Sequence, residues 1–155
     1  MTHSTKTISV LLFTFILFFQ SCKKNDQTTP DVATSLQNKN WKLVALTVSP
    51  AINGITDAYN NYLEDCERDN LFTFNINNAF VLNEGATKCD PADPQTQNGT
   101  WNYNSTSKML FFQLTLPSDE YNMMITQIDA TSFTGVENET VSGINYTYTW
   151  RFAKQ

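Results

Sequence analysis

The side chains able to do chemistry in this chain are few, and most are carboxylates. Glu64, Asp65, Glu67 and Asp69 form the densest acidic cluster, followed by Asp119 with Glu120 and Glu137 with Glu139. Acids at 65, 67 and 69 have the rhythm of a calcium loop. With Asp65 as first position, however, the sixth is Asn70, where the turn needs Gly, and the twelfth is Ile76, where a bidentate Glu should sit. A solvated loop held by Cys66 is the better reading, and neither a metal nor another cofactor is expected. A glycosidase-type pair needs two acids facing each other, and adjacent Asp119 and Glu120 point to opposite faces of an extended strand. The only histidine, His3, precedes an apolar run near the start. Everything after that run lacks imidazole, which excludes Ser–His–acid and Cys–His nucleophiles, His-ligated zinc and imidazole acid–base work near neutral pH. The chain is therefore not expected to be an enzyme.

The three cysteines have different uses. Ile8 to Phe19 is an apolar run of about a dozen residues, shorter than the roughly 18 a bilayer span needs. With His3 and Lys6 as its basic flank it reads as a signal h-region. Ser21 followed by Cys22 resembles the bacterial lipobox, with Gln20 larger than the usual residue there. That resemblance implies a signal peptide over residues 1–21, its removal, and acylation of Cys22 by fatty chains such as palmitate. Two chains give stable anchoring. The expected address is the cell envelope, on the outer membrane, with the periplasmic side and the cell surface both open. Cys66 and Cys89 then remain, and an even remainder in an exported protein points to a disulfide. Closing that loop is worth roughly 3 kcal/mol by chain entropy. A redox-active pair would want C-x-x-C-type spacing.

The net charge is −5, and it grows more negative when Lys6 leaves with the signal. An acidic chain with scattered basic residues offers no footprint for nucleic acid. Residues 22–35 are polar, with almost no large apolar side chain, and read as a flexible tether. A single domain spans residues 36–155. It shows short alternating runs bounded by Asn, Gly, Asp, Pro and Ser, the mark of strands and turns. Eight strands are predicted: Trp41 to Val48, Leu71 to Ile76, Phe80 to Glu84, Thr100 to Asn104, Met109 to Leu116, Tyr121 to Ile128, Ser132 to Glu137 and Ile144 to Phe152. Short links, Asn77-Asn78, Ser105 to Ser107 and Pro117 to Asp119, suit antiparallel hairpins. Only Ser49 to Asn70 is long enough for a crossover, with a turn or two of helix over Ala58 to Cys66. An up-and-down sheet of this size commonly closes into a barrel, which removes exposed edges.

Asn40-Trp41-Lys42-Leu43, Asp65-Cys66-Glu67-Arg68-Asp69 running into Phe72 and Phe74, Glu84 to Cys89, and Gly99-Thr100-Trp101 together resemble the lipocalin-like domain family of small lipoproteins from Gram-negative bacteria. The resemblance implies a small antiparallel β-barrel with a ligand-binding or accessory role. Against lipocalins proper, Trp41 stands where the first-strand tryptophan would, but Lys39 replaces the glycine two positions earlier. Arg151 is placed like the arginine that packs across that tryptophan, a contact worth about 0.5–2 kcal/mol. A solvent-facing Arg151 is the alternative.

Alternation assigns Phe72, Phe74, Phe80, Leu82, Trp101, Tyr103, Phe112, Leu114, Tyr146, Tyr148 and Trp150 to the interior. An eight-stranded barrel is just wide enough either to be filled by side chains or to hold one small ligand. If it holds one, the candidate contacts are Phe72, Phe74, Trp101, Tyr103, Phe112, Tyr146, Tyr148 and Trp150, with the tyrosines as polar-tipped members. The expected function is binding of a small apolar or amphipathic ligand by a membrane-anchored barrel. The alternative is an envelope accessory protein with a packed interior that contacts a partner protein or glycan.

Overall fold

The computed structural model describes residues 31–115 and 119–155. The expected signal peptide, the acylated Cys22 and the tether as far as Pro30 lie outside these residues, as do Leu116, Pro117 and Ser118 of one expected turn. In chain order the elements are α1 (Val32–Leu36), β1 (Asn40–Ile52), β2 (Ile55–Asp57), α2 (Ala58–Asn61), α3 (Asp65–Arg68), β3 (Leu71–Phe74), a 3-10 turn at Ile76–Asn78, β4 (Ala79–Asn83), β5 (Thr96–Asn104), β6 (Met109–Leu114), β7 (Glu120–Ile128), β8 (Ser132–Val141) and β9 (Ile144–Lys154). All eight expected strands form, and β2 is added to them.

Each of β3 to β8 pairs antiparallel with the next, and β1 closes the ring by pairing with β9 on one edge and β3 on the other. The result is a closed, antiparallel, up-and-down barrel of eight strands, the architecture the lipocalin-like resemblance implied. β1 outruns β3, and its free length from Thr47 to Ile52 takes β2 as an extra partner. Asn53 (φ 51°) and Gly54 (φ 82°) turn the chain between those two strands, the left-handed pair a tight hairpin needs. Asn77 and Asn78 do the same between β3 and β4 at φ 59° and 61°.

Period-two alternation sorts side chains to the two faces. On β6, Leu110, Phe112 and Leu114 are buried while their neighbours are only partly covered. Trp41, Phe74, Phe80, Phe112, Phe133 and Phe152 are at most 1% exposed. Phe74 sits among them, with ring centroids 5.4 Å from both Phe80 and Trp101 and 5.5 Å from Phe112. Each such aromatic pair adds about 0.5–1.5 kcal/mol beyond area burial.

One end of the barrel is closed. Asp31 caps α1 by accepting from the Thr34 N–H, and Leu36 is fully buried. The Leu36 carbonyl accepts from Trp41 Nε1 at 2.9 Å, and the Asn38 N–H donates to the Phe74 carbonyl at 2.9 Å. α1 therefore forms inside the stretch expected to be tether. Val32, Ala33 and Leu36 pack on the core. The cation over Trp41 is Lys39, whose Nζ stands 5.5 Å from the ring centroid. Arg151 is exposed, because it falls on the outward phase between Trp150 and Phe152. The solvent-facing reading of Arg151 is the one the structure supports.

Candidate functional site

The other end is open and holds a cavity of about 230 Å³. Its apolar wall comes from the interior phase of successive strands: Leu43 on β1, Phe72 on β3, Phe80 and Leu82 on β4, and Leu114 on β6. Tyr121 on β7 and Trp150 on β9 complete that wall. Tyr121 stacks on Phe112 at 4.8 Å and meets Trp150 edge-on at 5.9 Å. Phe72 rests against Phe152 at 5.3 Å, so the cavity floor is the top of the aromatic core.

The mouth is framed by the α2–α3 crossover and the β4–β5 loop. Leu63, Glu67 and Asn70 come from the first and Glu84, Cys89 and Asp93 from the second. Cys66 and Cys89 form the expected disulfide, with Cα atoms 5.2 Å apart, and it ties the two flaps together. Asp69 adds a second tie: its Oδ2 accepts from the Ala86 N–H, the Thr87 N–H and Thr87 Oγ1, each at 2.9 Å. Gly85 sits there at φ +70°, and a Cβ on it would overlap the Asp69 carbonyl. Glu67 Oε2 accepts from the Glu64 N–H at 2.7 Å, Arg68 pairs with Asp65, and Arg68 also donates to the Leu63 carbonyl at 3.0 Å. The acidic cluster thus serves as internal scaffolding for the flap.

The site's electrostatics are one-sided. Glu67, Glu84, Asp93 and Asp119 line the cavity, with no Lys or Arg among the lining residues. Glu84 is 6% exposed, and its Oε1 accepts from Gln97 Nε2 at 3.2 Å. The Tyr121 hydroxyl is pushed up chiefly by burial and further by Asp119, Glu137 and Glu67. Burial also pushes the Glu137 carboxyl up, against the opposing pull of the Asn122 N–H. Four buried side-chain polar atoms have no hydrogen-bond partner among the described residues: Asp69 Oδ1, Asn70 Oδ1, Gln97 Oε1 and Trp150 Nε1. Three of their residues, Asn70, Gln97 and Trp150, line the cavity. Trp150 Nε1 lies near enough to Glu137 to help keep it ionised, without reaching hydrogen-bond geometry.

Of the expected ligand contacts, Phe72 and Trp150 line this cavity. Phe74, Trp101 and Phe112 are 0%, 4% and 1% exposed and belong to the core beneath it. Trp101 and Phe112 sit midway along their strands and Phe74 ends β3 toward the plugged end, where rings from facing strands meet and leave no space. Tyr103, Tyr146 and Tyr148 are half-buried against the core, outside the cavity wall. Burial raises Tyr103 and Tyr148, with Asp31 adding to the first and Glu139 to the second. The residues missed were Leu43, Leu63 and Tyr121 and the polar ones. Continuing the inward phase past Phe80 and Leu82 reaches Glu84, and stepping back from Trp101 through Gly99 reaches Gln97, so the alternation itself carried the signal.

No protein-family model matches the chain, and no curated protein matches it. Among solved structures, bovine odorant binding protein in complex with a selenium-containing odorant is similar at a TM-score of 0.43 and 11% identity. The match covers 81% of this chain and 73% of that one.

Proposed function

We propose that this chain is a lipid-anchored cell-envelope protein whose lipocalin-like barrel binds a small apolar or amphipathic ligand at its open end without transforming it. The observation that carries the binding reading is the cavity of about 230 Å³ walled by Phe72, Leu82, Tyr121 and Trp150. Its size lies below the roughly 300–1,000 Å³ of sites for drug-sized ligands, so the ligand is small. The cavity offers an apolar wall with polar groups toward its mouth, the arrangement that orients an amphipathic molecule. The anchor rests on the signal-like run and on Cys22, and it implies the outer membrane as the address.

Native mass spectrometry of the protein isolated from its own envelope tests the binding reading. A copurifying small molecule that Trp150→Ala releases is expected. Protein of bare mass that also fails to bind small apolar probes refutes it. The second reading, contact with a partner protein or glycan, draws on Val141 and Ile144, which pair across the tip of the β8–β9 hairpin at 43% and 48% exposure. It gains ground only on that refuting outcome.

A further inference from the structure

We infer that the cavity selects a ligand with a protonated amine on an apolar body, its ammonium seated among Glu84, Gln97 and Asn70; this rests on the ligand-binding reading above. Glu84 is the one charged side chain in the buried class among the described residues. A buried carboxylate is costly unless a cation or several donors complete it. Glu84 receives one side-chain donor, from Gln97, and has no ion pair among the described residues. The nearby cations are committed elsewhere: Arg68 to Asp65 and the Leu63 carbonyl, and Lys88 to the carbonyls of Pro91 and Asp93.

Gln97 is oriented by Glu84. A carboxylate only accepts, so Gln97 must turn its amide nitrogen toward it and present Oε1 the other way. That oxygen is buried without a donor, as is Asn70 Oδ1. The site therefore presents a carboxylate and two carbonyl-type oxygens, acceptors in every case, and what satisfies them is a group that only donates. An ammonium carries three donors and no acceptor. Glu67, Asp93 and Asp119 line the same cavity and add to its negative charge. A fatty acid or other anionic amphiphile meets repulsion there. The apolar lining next to that seat, Phe72 and Leu82 with Tyr121 and Trp150, takes the apolar body.

Calorimetry on the Cys22→Ser chain with phenylbutylamine, phenylbutanol and phenylbutyrate separates the possibilities, since the three share one body and differ in the head. The amine is expected to bind at least about tenfold tighter than the alcohol, with the carboxylate weakest. Glu84→Gln should abolish the amine's advantage while leaving the alcohol within about twofold. Equal affinity for the three, or preference for alcohol or acid, overturns the inference and leaves the apolar pocket standing. An amine preference that survives Glu84→Gln overturns the seat assigned here. Binding of none of the three overturns the pocket reading itself.

Discussion

Thr87 donates to Asp69 Oδ2 twice, from its backbone N–H and from Oγ1, both at 2.9 Å. This pair joins the crossover to the β4–β5 loop, beside the disulfide and along the cavity rim. Removing the carboxylate leaves two N–H groups and a hydroxyl without their acceptor.

Asp69→Ala should therefore cost about 1–3 kcal/mol, with the damage concentrated in residues 84–95. Hydrogen exchange reads it: faster exchange at Ala86 and Thr87, with β7 to β9 amides unchanged, is the expected pattern. Uniform acceleration across the barrel would contradict the local role.

Reducing Cys66–Cys89 should lower thermal stability, by up to roughly 3 kcal/mol from loop entropy. Because Asp69 still holds the flaps, the barrel should stay folded, with retained far-ultraviolet circular dichroism below the lowered transition. Free thiols in protein purified from the envelope would contradict the bridge.

Two truncations on β9 should part company. Trp150→Ala removes a cavity wall and should weaken binding of phenylbutanol several-fold. Tyr148→Ala removes a ring outside the wall and should leave that affinity unchanged. Phe74→Ala, in the packed core at 0% exposure, should cost about 3–5 kcal/mol of stability.

The pH dependence has two opposing contributions. Asp129 is held down to about 2 by the N–H and hydroxyl groups of Thr131 and Ser132. A lowered carboxyl stabilises the fold above its unfolded value of 3.8, and that contribution disappears as pH falls toward 2. Glu137 is raised from 4.5 by burial, so it favours the fold while protonated and withdraws that support as pH climbs through its folded value. Carboxyl carbon shifts followed by NMR should show Asp129 titrating below an ordinary Asp and Glu137 above an ordinary Glu. Glu137→Gln should flatten the second effect.

Much of this fold was legible because strand pairing leaves a local trace. β9 alternates cleanly from Tyr146 to Phe152, and Asn77-Asn78 marks its turn by residue type alone. β2 and α1 were not legible: β2 has three residues and exists because β1 runs past β3, while α1 forms because a barrel end is there to receive Leu36. The cavity wall was legible only in part. Aromatic residues in the inward phase indicated the interior correctly, but alternation says nothing of height along the axis. Height decides whether a ring such as Phe74 meets other rings or, like Phe72, meets space. Lys39 over Trp41 escaped notice because it lies two residues away on the same chain, whereas the resemblance drew attention to the distant Arg151.

The plug formed by α1 also sets a direction. The chain enters the barrel at the stoppered end, opposite the mouth, with Asp31 only a short way downstream of Cys22. A solute therefore reaches the cavity at the end farthest from Asp31, past the disulfide-tied rim.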